Sequence, residues 1–570
     1  MLNWPSTIRT LTVLTGLVTC AMLAAAQVPP TTQIPPIPPP PASMQVQPST
    51  LSEMVPDQLS GVDPSKVVRW TLRDAIIAAL EKNPDIEINR ENVRLAQFDL
   101  LSTQGVYGWT AASTIYYNSQ KVPNAFRFSG SLQDFVQTDN FTFNANLTKY
   151  VESTSGFYQI NFNNSRVTSN TSNLASSINP SLTATFTQPL MRNFLHDINR
   201  RQVHILRKRL DLSDAQFRQI VIEIINTVQN AYWDLAFAIR NQQIQIEAVN
   251  LAQTQLRNNQ RQSDVGTLAP IDVVSAAVQV ETNRQQAFQA MQIVAQAENT
   301  LKTLTVESPQ SELWTSKILP VESFEIQPVA FSISEAVNLA LTNRPEVKQF
   351  ALQREINRID IDFFRNQTKP QVDLIATYGI TGLAGTPAIT VDQGGVPQPV
   401  LVSPKFVGGY FTALGNLFSN AYPTWRVGVN VSFPLHNQTA QANLGRALTS
   451  SRQLDEQSRR QLQLIEAEVR NAYQAMQAAN LRSGAARAAR QYAEIQLAGE
   501  QQKFGAGLST TFLVLQRQTD LSQARGTEVR TMTDYNKAVA NLQRAIATTL
   551  ASNSIDLSAA VAIPDSGGKK

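Results

Sequence analysis

Two hydrophobic periods alternate along this chain. From Phe141 to Leu147 the apolar side chains take every second position (Phe141, Phe143, Ala145, Leu147), with Thr and Asn between them. Tyr158, Ile160 and Phe162 continue the alternation, as do Leu182, Ala184 and Phe186. Further on, Val372, Leu374, Ala376, Tyr378 and Ile380 alternate, and Trp425, Val427, Val429, Val431 and Phe433 stand against Arg426, Gly428, Asn430 and Ser432. A period of two with one apolar and one polar face predicts amphipathic strands. In the first half four segments read this way, 109–119, 141–149, 157–163 and 182–188. Loops rich in Gly and Pro, such as "GTPAITVDQGGVPQPV", separate the strands.

Each strand region ends at a proline, Pro189 or Pro434, which suits the first turn of a helix because its missing N–H has no partner there. From Leu190 to Val265 the chain then holds neither Pro nor Gly. A helix of about 75 residues is about 110 Å long. Its apolar seam, Val221, Ile225, Val228, Tyr232, Leu235 and Ile239, steps by four and three. The second half has the same seam at Leu462, Ile465, Val469, Ala472, Met476 and Ala479. Such seams predict helices packed lengthwise on partners, with Gln, Asn and Arg on the opposite faces.

The landmarks occur twice in the same order. "TLRDAIIAALEKNPDI" from Thr71 matches "SISEAVNLALTNRPEV" from Ser332, each with a hydroxyl N-cap, an acid three residues on (Asp74, Glu335) and a proline at one offset (Pro84, Pro345). "TFTQPLM" matches "NVSFPLH", and "DVGTLAPIDVV" matches "FGAGLSTTFL", with Gly266 opposite Gly507. Three ordered matches predict a two-fold internal repeat. The expected organisation is a signal peptide over 1–26 and a Pro-rich linker over 27–67. A first repeat covers 68–310, with strands in 109–188, and a connector covers 311–331. A second repeat covers 332–552, with strands in 371–433, and 553–570 is a flexible tail.

Composition narrows the function. Charged residues are 16% and the net charge is +4, with no basic tract, so nucleic acid is not an expected partner. Arg9, the stretch "LTVLTGLVTCAMLAAA" and small residues before Ala26 read as a secretory signal. The only cysteine, Cys20, lies inside it, where a lipidation site is the other reading. No run of 18 apolar residues predicts a membrane-spanning helix. Amphipathic strands escape that criterion. An open sheet with an apolar outer face would aggregate, and closing it with further copies removes the edges. A barrel apolar outside and lined by Thr, Asn and Ser meets lipid on one face and water on the other. The long helices then extend from it as a tube. The rival reading is an exported structural or adhesive coiled-coil protein without a channel.

The paired openings, the "FTQPL" and "VSFPL" segments and the "VGTLAPIDVV" and "FGAGLSTTFLVL" tips resemble the TolC family of outer-membrane efflux proteins over roughly residues 68–552. The resemblance implies an α+β membrane protein: a homotrimer with one 12-stranded barrel, about four strands per protomer, continued by a coiled-coil tunnel through the periplasm. It implies an exit duct, not an enzyme and without cofactors. Its partners would be a periplasmic adaptor, an inner-membrane RND or ABC transporter and outer-membrane lipid. Adaptor contact would fall at Gly266, Thr267, Leu268, Gly507, Leu508 and Ser509, with Leu268 and Leu508 exposed. The tunnel entrance would fall at Asp272, Leu513 and Gln516. Members of the family often carry acids at the last two places, so entrance closure here is expected from apolar and polar contacts together with Asp272. The surplus alternating segments of the first half, at 140–166, are expected as an extracellular hairpin outside the barrel wall.

The other chemistry-bearing residues read as structural. His196, His204 and His436 are the only histidines and lack a third ligand at zinc spacing. "GAGLST" lacks the lysine of a phosphate loop. Tyr116, Tyr117, Tyr150, Tyr158, Tyr378, Tyr422 and Trp425 are candidates for interfacial girdles or for core packing.

Overall fold

The computed structural model describes residues 62–123, 135–170, 172–322, 324, 332–391 and 396–555. All belong to one unit, Val55–Lys570. The expected signal peptide, Cys20, most of the Pro-rich linker and the end of the C-terminal tail lie outside the described residues.

The first repeat runs β1 (Asp63–Trp70), α1 (Leu72–Lys82), α2 (Pro84–Gln104), β2 (Thr110–Pro123), β3 (Phe135–Tyr150), β4 (Phe157–Ser169), β5 (Leu174–Pro189), α3 (Ile198–Asp264) and α4 (Pro270–Thr305). After β6 (Ser316–Pro320) the second repeat runs α5 (Ile333–Asn343), α6 (Pro345–Gln367), β7 (Gln371–Thr381), β8 (Ala384–Pro387), β9 (Ile389–Val391), β10 (Pro397–Pro399), α7 (Tyr410–Phe418), β11 (Pro423–Ser432), α8 (Gln438–Gly505), α9 (Thr511–Ala545) and α10 (Thr549–Ser552). The repeat shows in lengths: α3 has 67 residues against 68 in α8, and α4 has 36 against 35 in α9. Capping boxes open both repeats, Thr71 with Asp74 and Ser332 with Glu335.

Three boundaries differ from expectation. Residues 63–67, read as linker, begin β1, and β6 lies inside the expected connector. The two pair in parallel, with Val68 opposite Ile318 and Trp70 opposite Pro320. Burial drives this pairing, since Trp70 and Ile318 enter the main core. Neither Pro189 nor Pro434 starts a long helix. Pro189 ends β5, and α3 begins at Ile198, where the Asp197 carboxylate accepts from the Asn199 and Arg200 amides. Left-handed Asn193 and Leu195 turn the chain between them.

The long helices form two hairpins, α3 on α4 and α8 on α9, with α9 also along α3. The seams are buried as their period requires: Val221, Ile225, Val228, Tyr232 and Leu235 in one cluster, Ile465, Val469, Met476 and Ala479 in the other. Leu462, at the start of the second seam, stays exposed. Ion pairs tie α9 to α3, Lys537 to Asp234 at 2.8 Å and Arg525 to Glu247 at 3.4 Å. Arg344, between α5 and α6, pairs with Glu468 of α8 at 2.6 Å, and Arg544 of α9 reaches the same carboxylate at 2.5 Å.

One antiparallel sheet holds the strands in the order β11-β7-β5-β4-β3-β2, with β8 on the end of β5. The wall therefore has six strands per chain where about four were expected. The surplus hairpin expected outside the wall is instead part of it: β3 pairs with β2 on one side and β4 on the other along its length. The alternation explains this. Trp425, Tyr378, Ala184, Ile160, Leu147 and Ala111 stand opposite one another strand by strand on one face. The neighbouring row on the other face reads Arg426, Thr377, Thr185, Gln159, Thr148 and Thr110. One amphipathic pattern crosses all six strands, so no strand can leave without exposing the polar or apolar row beside it. Tyr117, Tyr158, Tyr378 and Trp425 share the apolar face, whereas Tyr116 and Tyr150 lie on the polar one.

Candidate functional site

The far ends of the two helical hairpins carry the same turn. At the first, Gly266 has φ +77°. Its N–H donates to the Ser263 carbonyl at 2.9 Å, and the Thr267 N–H reaches back to the Gln262 carbonyl at 2.9 Å. At the second, Gly507 has φ +73°. Its N–H donates to the Phe504 carbonyl at 3.0 Å, and the Leu508 N–H to the Lys503 carbonyl at 2.9 Å. Both are Schellman C-caps, which satisfy the last carbonyls of a helix through one left-handed residue. Four residues after the glycine a helix restarts, at Pro270 or Thr511.

The side chains around the two turns differ. At the second tip Leu508 is 79% exposed and Phe512 71%, while Ser509 donates to the Glu500 carboxylate. At the first tip the exposed apolar groups are Val265 and Ile271, at 73% and 68%. Leu268, expected to be exposed there, is half-buried. Thr267 caps its own turn, its hydroxyl donating to the Gln262 carbonyl at 2.9 Å. Buried Asn259 ties the two helices below the turn, donating to the Asp272 carbonyl at 3.3 Å and accepting from Gln255 at 2.8 Å.

Asp272 lies in the first turn of α4, where the helix dipole favours an acid. The related place in α9 is the exposed Leu513. One turn on, Gln516 donates to Asp520 at 3.0 Å, and Arg517 pairs with the same carboxylate at 2.9 Å. The second tip therefore has an acid after all, Asp520, displaced by about two turns and held by a cation. Sequence reasoning that looked only at positions 513 and 516 missed it. The signal was present as the i, i+3 spacing of Arg517 and Asp520.

Elsewhere the polar groups are structural. Among the described residues no cluster of three His, Cys, Asp or Glu side chains is arranged to hold a metal. Burial, with Arg200 and Arg207 nearby, pushes the His204 imidazole below its ordinary range. No helix among the described residues is long and apolar enough to cross a membrane. The sheet carries the largest exposed apolar face, with Trp425, Val427, Val429 and Val431 between 57% and 75% exposed.

A family model described as "Outer membrane efflux protein" matches residues 157–306 and 336–548. The chain belongs to the outer membrane efflux protein family. Its fold agrees with solved outer-membrane channels at low identity. The Campylobacter jejuni CmeC channel is 14% identical, with a TM-score of 0.60 over 85% of this chain and 90% of that one. VceC from Vibrio cholerae is 16% identical, with a TM-score of 0.58 over 83% and 95%. The open state of the Neisseria gonorrhoeae MtrE channel is 17% identical, with a TM-score of 0.54 over 84% and 89%. No protein with a curated description matches the chain.

As a member of the outer membrane efflux family, the protein is a homotrimeric channel. Its barrel lies in the outer membrane and its helical tunnel in the periplasm. It works with a periplasmic adaptor and an inner-membrane transporter. The adhesive coiled-coil reading leaves the two-faced sheet without a purpose and is not favoured.

Proposed function

We propose that the two hairpin tips are the docking end for the adaptor and that Asp272, Leu513 and Gln516 line the tunnel entrance beside them. Gly266, Thr267, Leu268, Gly507, Leu508 and Ser509 form the turns themselves. The observation that carries this reading is the exposed apolar pair at each tip, Val265 with Ile271 and Leu508 with Phe512. Large apolar side chains gathered at the end of long helices rich in Gln and Asn favour a partner surface. The glycines hold the turn, Leu508 and Phe512 supply contact area, and Asp272 with Asp520 supplies charge at the mouth. Bond chemistry has no place in this reading: the chain is a passive duct and not an enzyme, and energy enters through the inner-membrane transporter.

Replacing Leu508 with Glu tests the docking. Burying a leucine contributes about 1.5–3 kcal/mol, so adaptor affinity should fall roughly 10- to 150-fold. The trimer should persist, because Leu508 is in neither buried cluster. Adaptor binding and export at the wild-type level in L508E would refute the assignment.

A further inference from the structure

The sheet ends in two unpaired edges, β2 and β11, and both strands are exposed along their whole length. Every neighbouring pair in the sheet is antiparallel, and the path has six strands. An even number leaves the two edge strands running in opposite directions, so the β2 edge of one copy can continue antiparallel onto the β11 edge of the next. Left open, such long edges template aggregation.

The helices say which copy fills the edge. In the second repeat α6 lies between its own α8 and the α3 of the other repeat. Its counterpart α2 packs on its own α3. The other flank of α2 is an exposed apolar stripe, Ile88, Leu95, Phe98 and Leu101, at 58%, 61%, 62% and 60%. By the repeat, that flank belongs to the α8 of a neighbouring copy. α2 leads into β2, and β11 leads into α8. Seating the neighbour's α8 on α2 therefore brings its β11 alongside β2.

β2 and β3 lie outside the family match, which begins at Phe157, as do α1 and α2. By the repeat, β2 after α2 answers to β7 after α6, and β5 before α3 answers to β11 before α8, which leaves β3 and β4 as the extra pair. β3 begins and β4 ends at one rim of the sheet, with Thr138 opposite Ser169.

We infer that the outer-membrane barrel of this protein is closed by β2 of each copy pairing with β11 of the next, with β3 and β4 inside the wall, so that three copies of six strands make an 18-stranded barrel. Barrel diameter grows roughly linearly with strand number, so this one is about half again as wide as a 12-stranded barrel. Both numbers are even, as such barrels require. The inference rests on the homotrimer but not on the adaptor docking proposed above.

Disulfide trapping in the full-length protein tests it. Cys20 is the only native cysteine, so a Cys20→Ala background is thiol-free. In that background Val429→Cys on β11 is paired in turn with Ala111→Cys, Ser113→Cys or Ile115→Cys on β2. A second set pairs it with Tyr158→Cys, Ile160→Cys or Phe162→Cys on β4. All lie on the apolar face. Within one copy β4 is three strands from β11, about 14 Å, beyond disulfide reach. The expected result is covalent dimers and trimers on oxidation with at least one β2 position and none with β4, which upholds the closing pair and leaves the strand number to a direct count. Bridging to β4, or no bridging at any β2 position in an intact trimer, would overturn the inference. A strand count in an electron cryo-microscopy map of the wild-type trimer decides without any variant: eighteen upholds it and twelve refutes it.

Discussion

Gly507 to Ala is the most revealing single change at the tips. The residue sits at φ +73°, and a Cβ placed there meets nothing within 4 Å. Packing therefore contributes nothing to the cost, and only the left-handed backbone does, about 1–2 kcal/mol. The bonds at stake are the two that close the α8 C-cap, to the Phe504 and Lys503 carbonyls. Local opening of the last turn should rise roughly 5- to 30-fold, since 1.4 kcal/mol is about a factor of ten. Gly505 is the internal control. It is the last residue of α8, and a Cβ there also meets nothing within 4 Å. Alanine at that position should stabilise the turn by about 0.5–1 kcal/mol. Amide hydrogen exchange over 499–508 in the detergent-solubilised trimer reads both. Faster exchange in G507A and slower exchange in G505A is the expected pair. Equal protection in the two variants would refute the left-handed C-cap as the device that sets the tip.

Three further outcomes follow from the packed helices. Glu468 is pushed up by burial, but its bonds to Arg344 and Arg544 outweigh this and hold the carboxyl below its usual range. Its contribution is therefore complete above the ordinary carboxylate pKa of about 4.3 and is lost as the pH falls through the lowered folded value. At neutral pH Glu468→Gln should cost about 1–3 kcal/mol, and the gap from wild type should close in acid, as read by melting at several pH values. Lys302 is fully buried and pairs with Glu298 at 3.1 Å, so Glu298→Ala strands a buried charge and should cost about 3–5 kcal/mol in denaturation experiments. Replacing both, Glu298→Leu with Lys302→Met, should recover most of that loss. Ile465→Ala opens a cavity in the second cluster and should cost about 2–5 kcal/mol, measured the same way.

The long elements were legible because their periods run over many turns. The seam through Tyr232 and the seam through Val469 fell in the cores they predicted, and the Gly266 and Gly507 turns proved to be one motif used twice. Short-range signals misled where tertiary burial decided. Residues 63–67 look like the end of a linker, yet β1 forms because Trp70 and Ile318 share a core. Pro189 and Pro434 look like helix starts, yet Asp197 supplies the α3 cap. The strand count was misjudged because alternation says which residues share a face, not which strands are neighbours. The register shows that the Thr and Asn row continues through β2 and β3. At the entrance, Asp520 was overlooked because the turn-to-acid spacing differs between the two tips.

This chain forms a trimeric pore in the outer membrane. The most direct test is to extract the full-length protein from outer membranes in detergent, isolate the trimer by size and insert it into a planar lipid bilayer. A trimer that yields discrete, long-lived ion-conducting steps is the expected result. A soluble periplasmic protein, or an extracted trimer that never conducts, would contradict it.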